Sequence, residues 1–378
     1  MSNISLSVVV MAHPRRADSA EKIRASCPEL NLSVVFDPEP EAPPSPLRSF
    51  RTSMLAWSST GDRATHHLVL QDDVQLCDDI AEELHAAIAA MPASPLYLYT
   101  DWGTKCSHLL RLGALRGAPW VEAVDPWVPA QAVLLPVGIA DGFVRYVARR
   151  PELDDDAFAL TAYLNANQLT AFVCMPNLVE HEYAPSLLGN DVPMGLRRAT
   201  CFGRPSHLPV DWTASPLRAP AVLPDLLAGR SYCSVKRTDG VIGAWSNMPT
   251  YEWLAERGIS VHDQTALFRD ADASEWDGRR CGGLASVASD TLKFHFWLTG
   301  FVYGALIATW PEADKDWFIA ALDRPLARRA LATLVPGGLR ELVVRDRLAS
   351  ASDMFLPLVI HAMRQGLDAN TDGTLVTL

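Results

Sequence analysis

The run Leu6 to Met11 (LSVVVM) sets the strongest limit on how this chain can fold. A β-branched run with hardly a polar break suits a strand buried on both faces of a parallel sheet. Such a strand needs helices to cover it, and the sequence supplies them. Ala17 to Ser26 reads as a helix, Leu32 to Phe36 (LSVVF) as a second strand, Arg48 to Ser58 as a helix and His67 to Leu70 (HLVL) as a third strand. The alternation continues with a helix over Asp79 to Met91, strands over Leu96 to Tyr99 and Ala130 to Leu135, and a helix over Val137 to Arg149. Asp156 to Asn167 carries apolar residues at helical spacing, and Thr170 to Met175 is a strand. Strands alternating with helices imply an α/β fold, a mostly parallel sheet flanked by helices.

Past Phe202 the character changes. A chain of 378 residues is too long for one compact core. Residues 1–204 are expected to form the α/β domain, 205–247 a proline-rich linker or wrap-around segment, and 248–378 a mainly helical domain. The helical patterns are Tyr251 to Arg257, Asp290 to Trp310, Lys315 to Leu322, Leu326 to Leu334 and Ser352 to Gly366. The apolar stretch Phe294 to Trp310 is short for a membrane span and carries His295, so it reads as a buried helix.

The formal net charge of -11 and the lack of a basic run disfavour nucleic acid as the main partner. Cysteines at 27, 77, 106, 174, 201, 233 and 281 form no C-x-x-C pair, which fits neither a disulfide scaffold nor a zinc site. Dispersed thiols read as a reducing, cytoplasmic setting. The start runs from Met1-Ser2-Asn3 straight into apolar residues without a basic segment, so no signal peptide is expected.

Four constellations could carry chemistry. In H-L-V-L-Q-D-D-V (67–74) a buried strand ends in Asp72 and Asp73, two carboxylates at the sheet edge where open α/β folds bind ligands. Carboxylates with phosphate oxygens suit Mg²⁺ or Mn²⁺, though a pair of aspartates also caps a turn. In P-N-L-V-E-H-E-Y (176–183), His181 follows a strand and is either a metal ligand or a hydrogen-bonded structural residue. Asp154, Asp155 and Asp156 open a helix, as caps or as a general base among crowded carboxylates. V-V-V-M-A-H-P-R-R (8–16) sets His13, Arg15 and Arg16 after the first strand, where cations meet a diphosphate. Neither G-x-G-x-x-G nor a P-loop pattern occurs there, against a dinucleotide or P-loop fold.

In their order, these segments resemble the GT-A glycosyltransferases, in particular bacterial and phage proteins related to lipopolysaccharide-type sugar transferases. The resemblance covers about residues 4–202: V-V-V-M-A-H-P-R-R, a strand ending in Asp37, L-V-L-Q-D-D-V, Q-A-V-L-L-P, D-D before a helix, and P-N-L-V-E-H. It implies a GT-A-like catalytic domain that binds a nucleotide-diphosphate sugar with a divalent cation, Mn²⁺ or Mg²⁺. By the same likeness Asp73 and His181 hold the metal and Asp72 lies near the donor ribose or sugar. Asp37 contacts the nucleobase or ribose, His13, Arg15 and Arg51 sit in donor-binding positions, and Asp155 or Asp156 is the catalytic base. One departure is Gln71, which stands where the usual D-x-D begins with a carboxylate and leaves the site with less charge.

The expected function is therefore metal-assisted transfer of a sugar to an unknown acceptor. The helical domain would bind that acceptor, a partner protein or a second copy of the chain. Two rivals are a nucleotidyltransferase on a similar sheet and a non-catalytic module that keeps the fold.

Overall fold

The computed structural model describes residues 4–40, 46–183, 185–187, 189, 191–204, 208–237, 244–275, 288–370, 373 and 375–376. Its first part runs β1 (Leu6–Ala12), α1 (Ala17–Ser26), β2 (Ser33–Phe36), α2 (Pro46–Trp57), β3 (His66–Gln71), β4 (Val74–Leu76), α3 (Ile80–Ala90) and β5 (Leu96–Tyr97). Next come α4 (Lys105–Arg116), β6 (Trp120–Glu122), β7 (Ala132–Pro136), α5 (Val137–Val147), α6 (Asp156–Ala166), β8 (Phe172–Cys174), β9 (Val179–His181) and the short α7 (Asp191–Met194). The remainder holds β10 (Val222–Leu227), β11 (Arg230–Lys236), β12 (Trp245–Pro249), α8 (Thr250–Ala255), α9 (Val261–Glu275), α10 (Asp290–Ile307), α11 (Lys315–Asp323), α12 (Pro325–Ala332), α13 (Leu334–Leu339) and α14 (Arg345–Ala369).

The chain divides into two units. The first comprises Met1–Asp101, Ala118–Pro193 and Cys201–Leu217; the second comprises Trp102–Gly117, Met194–Thr200 and Arg218–Leu378. The first unit is an α/β sheet of seven strands in the order β2-β1-β3-β7-β5-β8-β6. Pairs β1–β2, β1–β3 and β5–β8 are parallel, while β7 runs against both its neighbours and β6 against β8. Most strands thus share one direction, with β7 and β6 reversed. Val8 to Ala12 of β1 and Leu68 to Leu70 of β3 are buried, as their apolar runs require of central strands. The equally apolar β2 is half-exposed, because it forms the edge of the sheet.

In the second unit β10, β11 and β12 form an antiparallel sheet, and α10 packs along α14. Gly300 and Gly304 of α10 meet the Val359 and Met363 carbonyls, and Gly366 of α14 meets the Phe301 carbonyl. A Cβ at Gly304 or Gly366 would collide with the opposing backbone, so small residues set this close approach. Phe296 to Ile307 is buried throughout, which accounts for its apolar character. Among the described residues, no helix is long and apolar enough to cross a membrane.

Two elements escape sequence patterning. The helix α4 is buried from Cys106 to Leu115 although it carries Ser107, His108 and Arg111. Arg111 is satisfied internally by the carbonyls of Trp102 and Ala330 and the hydroxyls of Ser107 and Thr333. Within the expected linker, 205–207 and 238–243 lie outside the described residues, but Val222–Leu227 and Arg230–Lys236 pair as a hairpin. Its turn has Ala228 and Gly229 at positive φ, 46° and 71°. Among the described residues Cys27, Cys77, Cys106, Cys174, Cys201 and Cys233 form no disulfide, and Cys281 lies outside the described residues.

The first unit is closed by its final segment. The buried Glu83 of α3 accepts Arg204 Nε at 2.5 Å and Trp212 Nε1 at 2.6 Å. The Trp212 carbonyl in turn accepts Trp120 Nε1 at 2.9 Å. Leaving such donors unsatisfied costs about 1–3 kcal/mol. Glu83→Ala should therefore lower stability in denaturant titration by about that amount and red-shift tryptophan emission as Trp212 reaches solvent.

Candidate functional site

The site grows from the parallel pairing of β1 with β3. Their register sets Met11 opposite Gln71, so both strands end at the same edge of the sheet. Residues just past the strands then meet: the His13 amide donates to Asp72 Oδ2 at 2.9 Å. Pro14–Arg16 next forms a 3₁₀ turn, capped by His13 Nδ1, which accepts the Arg15 amide at 3.0 Å. Consecutive residues of such a turn project about 120° apart. Arg15 accordingly faces solvent and Arg16 turns inward.

Arg16 lies at the centre of the cluster. Its Nη1 is 2.9 Å from Asp72 Oδ1 and 2.9 Å from Asp73 Oδ2, and its Nη2 donates to the Pro185 carbonyl at 2.7 Å. His181 arrives by a separate route. The two-stranded sheet of β4 and β9 pairs Val74 with His181, and the Glu182 amide donates to the Asp73 carbonyl at 2.8 Å. This carries His181 Nε2 to 3.5 Å from Asp73 Oδ2, and the Tyr99 ring centre is 6.1 Å from the imidazole.

The two carboxylates are driven apart in acidity. Burial and the adjacent Asp73 charge raise Asp72 above its ordinary 3.8, against the His13 amide and Arg16. Burial also pushes Asp73 upward, but His181 and Arg16 more than offset it, so its carboxyl ends below 3.8. Burial acts to lower the Arg16 pKa, yet the two carboxylates raise it above the ordinary arginine value.

The remaining expected residues occupy two further groups. Asp37 is buried at the end of β2 and accepts the Glu39 amide at 3.0 Å. Arg51 of α2 pairs with Glu39 at 2.6 Å. At the head of α6, Asp155 is the helix cap, accepting the Phe158 amide at 3.0 Å. Asp156, beside it, is partly buried, and desolvation foremost raises its carboxyl to about 6. The Val128 amide contacts the Ala157 carbonyl at 3.4 Å, and the Gln71 amide donates to the nearby Gln131 carbonyl at 3.0 Å. The head of α6 is thus tied to the segment that leads into β7.

Two carboxylates and an imidazole suit a divalent cation in kind. Asp73 Oδ1 and His181 Nδ1 are moreover buried without a hydrogen-bond partner. The donor types suit the group, but as the side chains stand Arg16 Nη1 lies between the two carboxylates. Among the described residues, no three or more His, Cys, Asp or Glu are already arranged as a metal cage. A divalent ion about 4 Å from a guanidinium is repelled by on the order of 8 kcal/mol at an effective dielectric of ~20.

Motif reading placed Arg16 beside Arg15 as a cation facing a diphosphate, whereas here it pairs with Asp72 and Asp73. Choosing between the arginines requires the turn geometry. Family models yield no match to this chain, and curated proteins yield none either.

A depressed carboxyl stabilises the fold above its unfolded pKa and loses that contribution as pH falls. Asp73→Asn should therefore lower the melting temperature at pH 7. The gap to the wild type should shrink as pH drops below 3.8, read by calorimetry across that range.

Proposed function

We propose that this chain is a glycosyltransferase, moving a sugar from a nucleotide-diphosphate donor to an acceptor on a GT-A-like first unit. The observation that carries the proposal is the convergence of His13, Arg16, Asp72, Asp73 and His181 at the edge where β1 and β3 end. Open α/β sheets bind ligands at that edge.

A divalent cation held by Asp73, Asp72 and His181 would, when bound, neutralise the leaving diphosphate. His13 and Asp37, at the ends of β1 and β2, line the nucleoside side of this arrangement. Arg15, exposed on the same turn, is available to the donor's phosphates, and Arg51 would join it on leaving Glu39. Asp156 is the proposed base, since a carboxyl raised to about 6 is ionised at neutral pH yet still basic. It takes the proton of the acceptor hydroxyl as that oxygen bonds to the anomeric carbon. The bond to the phosphate oxygen breaks, and its electron pair leaves with the nucleoside diphosphate. Asp155 holds the head of α6 in shape by capping it.

A second reading, a non-catalytic nucleotide-sugar-binding module, draws on Gln71 and on Arg16 closing both carboxylates. Incubation with a panel of NDP-sugars separates the two by slow release of NDP. Release supports the transferase, no release with tight binding supports the module, and turnover of NTPs alone would point to a nucleotidyltransferase.

The base makes two predictions with definite signs. Transfer should rise with pH through about 6, because Asp156 must be ionised, and Asp156→Asn should reduce it about 10²- to 10⁴-fold. Asp155→Asn keeps a good cap and should retain most activity. A raised carboxyl costs stability as pH climbs from 3.8 through about 6. Asp156→Asn should consequently melt above the wild type at pH 7.5 and converge with it near pH 4, by differential scanning fluorimetry.

A further inference from the structure

We propose that Arg16 is a built-in counter-ion that competes with a divalent cation for the Asp72–Asp73 pair, so that the cation site opens only when the guanidinium is displaced. The proposal builds on reading Asp72, Asp73 and His181 as a cation site and is independent of which group the enzyme transfers.

Three observations carry it. Arg16 Nη1 is equidistant, at 2.9 Å, from one oxygen of each carboxylate, the position a shared cation would take. The oxygen of Asp73 that it holds is the same one that faces His181 Nε2, so the guanidinium and the imidazole share one carboxylate oxygen. Behind it the site retains unused ligand capacity. Asp73 Oδ1 and His181 Nε2 are buried without a hydrogen-bond partner, and the His181 side chain is only 7% exposed.

Charge explains why such an arrangement is useful. Two buried carboxylates side by side repel unless a cation lies between them. Arg16 supplies one positive charge between them. It does not fully neutralise the pair, so a diphosphate arriving alone meets residual negative charge, and a cation arriving alone must evict the nitrogen that bridges both carboxylates. Cation and diphosphate together resolve both conflicts, because the displaced guanidinium finds new acceptors in phosphate oxygens. The Pro185 carbonyl, which holds Nη2, is the second anchor that must be released.

The test is Mn²⁺ binding alone, followed by electron paramagnetic resonance on the full chain, for wild type and three variants. Arg16→Ala and Arg16→Gln remove the charge and should bind Mn²⁺ at least tenfold more tightly than wild type. Arg16→Lys retains the charge and should remain as weak as wild type. Adding Asp73→Asn to Arg16→Gln should abolish the gain. Unchanged circular dichroism and melting separate a gained affinity from metal binding by misfolded chain, and Arg16→Gln, with a side chain that still donates hydrogen bonds, guards against failure of the alanine variant to fold. Tight Mn²⁺ binding already in wild type, equal to that of the neutral variants, would overturn the competition while leaving the cation site standing. Folded neutral variants that bind no Mn²⁺ would overturn both.

Discussion

The hydrogen-bonded parallel register of β1 on β3 is the constraint from which the candidate site follows. With Met11 opposite Gln71, the chain leaves both strands at one level. The first amide after β1, that of His13, can then reach the Asp72 carboxylate. Sliding the register by one residue would turn buried side chains to the opposite face and separate these groups. Register is held firmly here because both faces of β1 and β3 are covered: Val9, Val10, Leu68 and Leu70 are fully buried. The apolar core thus fixes the position of charged groups that contribute nothing to it.

Those charged groups in turn require one another. Adjacent Asp72 and Asp73 shift in opposite directions, one toward holding its proton and one toward losing it. The separation arises because His181 lies beside Asp73, while Asp72 is served by the His13 amide and Arg16. A similar contrast separates Asp155 from Asp156: one spends its carboxylate on the helix end, the other is left raised to about 6. Neighbours of identical type acquire different chemistry from their surroundings.

The second unit illustrates the same logic in apolar form. The long apolar run of α10 is explained by burial against α14, where Gly304 and Gly366 admit backbone contact. In α4, the buried Arg111 is tolerated because carbonyls and hydroxyls take its guanidinium. Burying a charge without such partners would cost several kcal/mol, about the net stability of many domains.

Much of the fold could be read directly from residue order. The strands at Leu6, Leu32 and His67 announce themselves by apolar runs, and the helices between them by their spacing, since those patterns reflect local backbone geometry. The acidic pair and His181 were likewise visible as residues that end strands. Strand direction was not visible: Ala132–Pro136 has the pattern of a buried strand whichever way it runs, and only the fold reverses it. Nor was α4, whose polar side chains find partners far along the chain, at Ala330 and Thr333. Proline-rich composition hid the hairpin of β10 and β11 for a similar reason, because its pairing depends on a turn at Ala228 and Gly229. The choice of Arg16 over Arg15 rests on a single 3₁₀ turn, since two adjacent arginines are equivalent in sequence and differ only in direction. Local periodicity determined the elements of this protein, while the meeting of Arg16, Asp72, Asp73 and His181 was decided by tertiary structure, because charge pairing depends on distance in space and carries no period along the chain.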